Sequence, residues 1–249
     1  MNTRRVALVG LIFVLLALGA LTGCQAGSGT IVVATDATWP PMEYVDENKE
    51  IVGYDIDLMK AIAESAGIEI EFKNVAWDGI FAGLAAGEYD AIISSVTITE
   101  ERQEKYDFSE PYINAGQIVV VKADSDITGP DTLSGSTVGA QIGTTGAIEI
   151  QNMAGAELKE YDEIGLAFED LVAGRIDAVV CDTPVAADFA LQREEYSAVL
   201  KIVGEPFTDE YYGIVVQQGN SELLDKINEG LKAVQAEGLD KTIEADWLR

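Results

Sequence analysis

A ten-residue pattern that occurs twice is the feature that most limits how this chain can fold. Residues 84–93 are LAAGEYDAII, and residues 171–180 are LVAGRIDAVV. In each copy an apolar helix end is followed by a glycine, which favours the left-handed conformation that ends helices, and then by an apolar strand. Helices that alternate with such apolar strands are typical of parallel sheets covered on both faces. The repeat therefore predicts two α/β units.

Polar residues follow each copy of the pattern. Ser94, Ser95 and Thr97 come after the first strand and are followed by Arg102, whereas Asp182 comes after the second strand. In open α/β sheets, ligands bind beyond the carboxyl ends of the strands. Hydroxyls with a guanidinium suit a carboxylate, and an aspartate suits an ammonium. A helix-to-strand joint of this kind is common, so the prediction of a zwitterion site depends on these polar residues.

The N-terminus has the features of a targeting segment. Arg4 and Arg5 precede an apolar run over residues 6–21, which is short for a membrane span. The run leads into residues 21–24, LTGC, which is typical of a bacterial lipoprotein signal with Cys24 as the lipid-attachment residue. An ordinary signal peptide and an uncleaved anchor are the alternatives.

A lipoprotein signal has consequences for location. We expect residues 1–23 to be removed and residues 24–29 to form a flexible tether, since they are rich in small residues. The lipid on Cys24 would then hold the protein on the membrane, at the outer face of the cytoplasmic membrane or in the periplasm.

The composition excludes several classes of function. The chain has 43 acidic and 16 basic residues, and this net charge of −27 repels nucleic acid. It has no histidine, which excludes Ser-His-Asp and Cys-His catalysis and the usual zinc sites. If Cys24 carries lipid, Cys181 has no partner for a disulfide. We expect a monomer that binds no metal, cofactor or nucleic acid.

The order of predicted elements suggests two lobes. We assign residues 30–114 with 214–249 to lobe 1 and residues 115–213 to lobe 2, with hinge crossings near 114–116 and 209–213. No low-complexity linker separates the lobes, which indicates a hinge rather than independent domains.

Individual elements are predicted from apolar periodicity and capping residues. A helix is expected over 55–66 with Asp55 as its cap, followed by a strand over 68–72. In the second unit a strand is expected over 176–180, and the strand over 211–216 is expected to close that unit. A hairpin around residues 46–50 is also predicted.

Several segments, in this order along the chain, identify a resemblance. They are residues 33–44, 53–58, 91–102, 107–112, 143–146 and 177–184. Together they resemble the extracellular solute-binding proteins of family 3, the polar amino-acid receptors of ABC importers. The resemblance covers essentially the whole chain after the signal. It implies an α/β chain with the type II periplasmic-binding-protein fold, in which two α/β lobes joined by two hinge strands close around a ligand.

The resemblance implies a role for each matching residue toward the charged groups of an amino acid. Arg102 would pair with the α-carboxylate, assisted by Thr97 and the backbone near Ser94 and Ser95. From the second lobe, Thr145 next to Thr144 would donate to the same carboxylate, and Asp182 would take the α-ammonium. The structural alternatives are an exposed helix arginine and an aspartate that only caps the following helix.

Other matching residues would contact the ligand side chain. Trp39 and Trp77 would sandwich it, and Asp36 and Asp55 would approach its far end. Core packing is the alternative for the tryptophans, and helix capping is the alternative for Asp55.

The expected function is that of a lipid-anchored receptor, which binds an L-amino acid and delivers it to an ABC transporter permease in the membrane. Asp36, together with Asp55 or Glu43, would form an acidic pocket flanked by two tryptophans. Such a pocket suits a guanidinium or ammonium, so arginine or lysine is expected, with glutamine as the alternative. A cyclohexadienyl dehydratase-like enzyme would need a general acid, and no glutamate or aspartate is clearly placed for it, so no enzymatic activity is expected. A sensor domain that signals through a partner is the third class.

Overall fold

The computed structural model of the chain describes residues 29–248. The predicted signal at 1–23 and Cys24 lie outside the described residues, as does all of the predicted tether except Gly29. Within residues 29–248, no helix is both long enough and apolar enough to cross a bilayer.

The first sheet has five strands. In spatial order they are β5 (Ile70–Asn74), β1 (Ile31–Thr35), β6 (Ala91–Ile92), β15 (Val215–Gln217) and β7 (Tyr106–Phe108). Strand β1 runs parallel to both β5 and β6, whereas β15 runs antiparallel to β6 and β7. The sheet is therefore mixed, with a parallel part that carries the first copy of the sequence repeat.

The second sheet repeats this layout. Its strands are β11 (Glu157–Tyr161), β10 (Thr137–Gln141), β12 (Ala178–Asp182), β9 (Gln117–Lys122) and β13 (Leu200–Val203). Strand β10 is parallel to β11 and β12, and β9 is antiparallel to β12 and β13. The second copy of the repeat thus occupies the same place in its sheet as the first.

Two small sheets complete the strands of the described region. One is an antiparallel arrangement of β2 (Thr38–Trp39), β3 (Glu43–Val45) and β4 (Ile51–Val52), which contains the predicted hairpin. The other pairs β8 (Ile113–Asn114) with β14 (Tyr211–Tyr212) where the chain passes from one large sheet to the other and back.

Helices flank both sheets. Those that precede β9 or follow β15 are α1 (Tyr54–Ala66), α2 (Trp77–Ala86), α3 (Glu100–Gln103), α8 (Ser221–Glu237) and α9 (Leu239–Trp247). Those between the strands of the second sheet are α4 (Thr145–Asn152), α5 (Ile164–Val172), α6 (Thr183–Ala187) and α7 (Glu194–Ser197), with a 3₁₀ turn at Pro130–Thr132 and a π-helical turn at Asp188–Gln192.

The helix–glycine–strand joint predicted twice from the sequence is confirmed in both places. Gly87 ends α2 with φ 73°, and Gly174 follows α5 with φ 68°. The aspartates of the two copies make equivalent hydrogen bonds. Asp90 accepts from the Val32 amide and Asp177 accepts from the Thr137 amide, each at 2.8 Å. Each aspartate therefore fixes the start of a neighbouring parallel strand.

The predicted strand over 211–216 is wrong in two respects. It is broken near Gly213 into β14 and β15, and β15 joins the first sheet rather than closing the second. The break allows Tyr212 to pair with β8 while Val215 pairs with Ile92 of β6. A β-carbon on Gly213 would lie 3.0 Å from the Ile98 side chain, so the crossing is tightly packed.

Two strands begin later than predicted. Strand β5 starts at Ile70 because α1 ends in a left-handed turn at Gly67, after which the Ile68 amide still bonds to the Ala63 carbonyl. Strand β12 starts at Ala178 rather than at residue 176. It runs to Asp182, so this aspartate is the last residue of the strand.

The first sheet is covered by a close helix pair. Gly230 of α8 lies against Ile62 of α1, and a β-carbon on the glycine would be 2.5 Å from the Ile62 carbonyl oxygen. The absence of a side chain at this point allows the two helices to pack in direct backbone contact.

Candidate functional site

A cavity lies where the carboxyl ends of β1, β6, β10 and β12 meet. Every residue predicted to contact a ligand lines it except Asp55. The lining residues are Asp36, Trp39, Glu43, Trp77, Ser94, Ser95, Thr97, Arg102, Gln141, Thr144, Thr145 and Asp182.

Asp55 lies behind the cavity wall, at the start of α1. Its carboxylate accepts from the Ser95 amide at 2.7 Å and from the Tyr112 hydroxyl at 2.9 Å. The predicted capping role is wrong, because Gly53 precedes the helix and no side chain caps it. Ser95 has φ 50°, a conformation that costs energy for a residue with a side chain, and the Asp55 contact supports it. Burial raises the pKa of Asp55 to about 6.

Glu43, an alternative to Asp55 as the second acid beside Asp36, lines the cavity. It is fully buried, and its two oxygens accept from the hydroxyls of Ser94 and Ser95 at 3.1 and 3.2 Å. Burial, then the nearby charges of Asp55 and Asp36, raises the pKa of Glu43 well above its usual range. The hydroxyl groups of Ser94 and Ser95 therefore both donate to Glu43.

Asp36 joins the two sheets through hydrogen bonds. One carboxylate oxygen accepts from the Thr38 hydroxyl at 2.9 Å, and the other accepts from the Gln141 amide of β10 at 2.8 Å. Burial raises the pKa of Asp36, and these two hydrogen bonds oppose the rise. Gln141 also donates to the Asp162 carbonyl at 3.0 Å, which fixes the orientation of its amide.

Arg102 is held by carbonyl groups from both sheets. Its guanidinium donates to the Thr97 carbonyl at 2.9 Å and to the Gly143 carbonyl at 3.3 Å. The rings of Trp77 and Phe81 lie 5.5 and 5.2 Å from the guanidinium carbon. Burial lowers the pKa of Arg102. The guanidinium makes no ion pair within residues 29–248. Its charge is thus positioned without being neutralised.

The two tryptophans on the cavity wall are mostly buried. Trp39 is 6% exposed and Trp77 is 8% exposed, and both also pack in the apolar core. The indole nitrogen of Trp39 has no hydrogen-bond partner in the part of the chain that the structure describes. A buried donor of this kind carries an energetic cost unless a ligand or water accepts from it.

The start of helix α4 contributes hydroxyls and backbone donors to the cavity. Thr144 caps the helix, since its hydroxyl oxygen accepts from the Ala147 amide at 3.3 Å and it donates to the Gln141 carbonyl at 2.7 Å. Thr145 is the first helical residue, where amide groups have no partner within the helix. Such helix starts favour negatively charged groups.

Asp182 ends strand β12 and is 5% exposed. It makes no capping hydrogen bond to α6, so capping does not account for it. Its carboxylate accepts from the Gln117 amide at 2.7 Å. Burial first, and then the charge of Glu210, raises the pKa of Asp182 to about 8.

Acidic side chains outnumber basic ones in the cavity lining. Asp36, Glu43 and Asp182 line it, whereas Arg102 is its single basic lining residue in the described region. A ligand that carries more positive than negative charge would favour the ionised form of these carboxylates and so lower the pKa values that burial raises.

The sequence is similar to known proteins over most of its length. The family described as bacterial extracellular solute-binding proteins, family 3, matches residues 31–249. ABC transporter arginine-binding protein 1 of Escherichia coli (strain K12) is 36% identical over 238 residues, which are 93% of this chain and 96% of that protein.

Solved structures of amino-acid-binding proteins are also similar to this chain. An ancestral arginine-binding protein bound to arginine has a TM-score of 0.84 at 44% identity, over 89% of this chain and 99% of that chain. An ancestral arginine-binding protein bound to glutamine has a TM-score of 0.83 at 45% identity, over 88% and 97%. The predicted fold class, the type II periplasmic-binding-protein fold, is confirmed by these similarities.

One similar structure has a connection to an enzyme. It is the ancestral amino acid-binding protein AncCDT-1, described as a precursor of cyclohexadienyl dehydratase, with a TM-score of 0.82 at 37% identity over 89% of this chain and 96% of that chain.

Proposed function

We propose, from the fact that this chain belongs to the bacterial extracellular solute-binding proteins of family 3, that it binds arginine or lysine in the cavity between its two sheets. It is an amino-acid-binding protein of an ABC transport system, as are the relatives that it resembles over most of their length. The proposal concerns which amino acid it takes and which residues bind it.

The excess of carboxylates around the cavity is the observation that carries this choice of ligand. A basic amino acid has one carboxylate and two cationic groups. Arg102, with the start of α4, would bind the α-carboxylate, and Asp182 would bind the α-ammonium. The remaining acids, Asp36 and Glu43, would then face a guanidinium or ammonium at the end of the side chain, beside the indole rings of Trp39 and Trp77.

Closure of the two predicted lobes would assemble this site. Residues 30–114 with 214–249 would supply Arg102, Asp36 and the tryptophans, and residues 115–213 would supply Thr145 and Asp182. The hydrogen bonds from Gln141 to Asp36 and from Arg102 to Gly143 support this proposal, because each joins the two parts.

A thermal-shift screen of residues 24–249 tests the ligand proposal. We expect L-arginine and L-lysine to raise the melting temperature more than L-glutamine, L-histidine or L-cystine, since binding to the folded state alone stabilises it. Stabilisation by glutamine without stabilisation by arginine or lysine would reverse the choice. Glutamine is the second candidate because a similar ancestral arginine-binding protein has been solved with glutamine bound.

We further propose that the protein delivers its ligand to a membrane permease and is held at the membrane by lipid on Cys24, outside the cytoplasm. The LTGC sequence at residues 21–24 supports the lipid anchor. Expression of the Cys24→Ser variant tests it. We expect the variant to be recovered in the soluble fraction, whereas the unchanged protein stays with membranes.

Binding without turnover is proposed in preference to a dehydratase activity. The similarity to other transport binding proteins supports this choice, although one similar structure is a precursor of cyclohexadienyl dehydratase. Incubation with prephenate or arogenate distinguishes the two, and the appearance of product would establish an enzyme.

A further inference from the structure

Glu210 is a buried carboxylate next to the cavity, in the segment that returns to the first sheet. It is 9% exposed and directly precedes β14. One of its oxygens, Oε2, accepts from the Thr145 hydroxyl at 2.6 Å, from the Thr97 hydroxyl at 3.0 Å and from the Gln117 amide at 3.3 Å.

These donors come from different parts of the fold. Thr97 follows strand β6 of the first sheet, whereas Thr145 begins α4 and Gln117 begins β9 of the second sheet. A single carboxylate oxygen therefore holds residues from both sides of the cavity. The two hydroxyl oxygens of Thr97 and Thr145 are 3.4 Å apart, so they converge on Glu210 rather than on separate partners.

The number of available protons makes this contact significant. A threonine hydroxyl has one proton to donate, and an ionised carboxylate can only accept. When Thr97 and Thr145 donate to Glu210, neither can donate to a carboxylate of the ligand. These are the same two hydroxyls that would otherwise assist Arg102 in binding an α-carboxylate.

We propose that Glu210 competes with the α-carboxylate of the ligand for the hydroxyls of Thr97 and Thr145. Binding of an amino acid then requires Glu210 to give up these hydrogen bonds, and Glu210 sets how strongly the site holds a ligand that has a carboxylate. This inference rests on the proposed function. It concerns the carboxylate end of the ligand and is independent of which side chain is preferred.

Calorimetric titration of Glu210→Ala and Glu210→Gln with two ligands tests the proposal. L-Arginine carries the carboxylate, and agmatine is the same molecule without it. We expect Glu210→Ala to bind L-arginine about tenfold more tightly, which is the gain from one or two freed hydroxyl donors. Agmatine should bind the variant equally or more weakly, because one nearby negative charge is lost. Glu210→Gln, which keeps the shape of the side chain, should lie between the two.

Glu205→Ala and Glu205→Gln serve as matched controls, since Glu205 is exposed. Both should leave the affinities for L-arginine and agmatine unchanged. Weaker binding of L-arginine by both Glu210 variants would overturn the proposal, because Glu210 would then assist binding. An unchanged ratio of the two affinities would also overturn it. If L-glutamine is the ligand, it and 4-aminobutanamide replace the pair.

The titrations distinguish a failure of the proposed function from a failure of the competition proposal alone. If the unchanged protein binds no amino acid, the proposed function fails and the competition proposal fails with it. If the unchanged protein binds an amino acid but the Glu210 variants show no selective gain for it, only the competition proposal fails. Circular dichroism of each variant establishes that it is folded before titration.

Discussion

Gln141 donates to Asp36 at 2.8 Å, and this hydrogen bond joins the second sheet to the first across the cavity. The amide neutralises none of the carboxylate charge. The ionised carboxylate of Asp36 therefore places a full negative charge beside the cavity, where it can attract a cationic side chain of the ligand.

Replacing Asp36 by asparagine should reduce the preference for basic ligands. We expect L-arginine and L-lysine to bind about 10- to 100-fold more weakly, which corresponds to the loss of one charge-assisted hydrogen bond. Binding of L-glutamine should change much less. Calorimetric titration measures these affinities, and Asp124→Asn, at an exposed position, is the matched control. An equal loss for glutamine and arginine would show that Asp36 has a structural role only.

Replacing Arg102 by alanine should weaken the binding of every amino acid. The Arg102 side chain is half-buried and makes no ion pair in the described part of the chain, so its loss removes the cation available for an α-carboxylate. We expect the dissociation constant to rise about 100-fold or more. Arg175→Ala is the control, since Arg175 is 60% exposed and pairs with Asp170. Near-native affinity of the Arg102 variant would contradict the assigned role.

Tryptophan fluorescence should report binding through specific residues. The chain has three tryptophans, and two of them, Trp39 and Trp77, line the cavity. Trp247 instead packs against Tyr44 and donates to Asp57 at 2.9 Å. Addition of L-arginine should change the emission of the Trp247→Phe variant but not that of the double variant Trp39→Phe/Trp77→Phe. A signal that requires Trp247 would place the ligand elsewhere.

The protein without ligand should lose stability as pH rises from about 4 to 8. The folded-state pKa of Asp182 is raised from 3.8 to about 8, and that of Asp55 from 3.8 to about 6. Between these values the folded state holds protons that the unfolded state has released, so unfolding becomes more favourable as pH increases. Melting temperatures across this range provide the measurement.

Asp182→Asn is the variant that isolates the largest part of this pH effect. It removes the titrating group, so its melting temperature should fall less steeply between pH 5 and pH 8, two values chosen as roughly the limits of the window. Asp124→Asn should keep the slope of the unchanged protein. If the slope is the same in all three proteins, Asp182 is ionised in the folded state throughout.

Gly230→Ala should destabilise the fold by about 1–3 kcal/mol, because the new β-carbon would meet the backbone oxygen of Ile62 at 2.5 Å. A backbone atom within a helix cannot move aside cheaply. Gly165→Ala in α5 is the control, since no atom lies within 4 Å of the position of its β-carbon. Urea unfolding should show a lower midpoint for the first variant and an unchanged or higher midpoint for the second.

The sequence repeat allowed much of the fold to be predicted, because its signals are local. A helix end, a glycine and an apolar strand are neighbours in sequence, so the joints at Gly87 and Gly174 are predictable without any tertiary information. The polar residues directly after the strands follow from the same logic, since strand ends meet at one edge of a sheet. Asp182 and Thr97 reach the cavity for this reason.

Contacts between residues far apart in the sequence were not predictable in this way. Glu43 reaches the cavity from a short strand and is fixed by Ser94, which lies 51 positions later. Glu210 meets Thr97 from 113 positions away. Asp55 lies in the first turn of helix α1, where the sequence suggested a cap, yet its carboxylate accepts from the Ser95 amide. In each case the partner, and not the local sequence, decides the position of the side chain.

The placement of β15 has a consequence for how the molecule is made. Val215 and Val216 lie between β6 and β7, so the first sheet cannot be completed until more than 200 residues have been synthesised. The second sheet, by contrast, uses only an uninterrupted stretch from β9 to β13. A chain that emerges from its N-terminus could therefore finish the later sheet before the earlier one. The ligand cavity, which needs both sheets, would be the last part of the molecule to form.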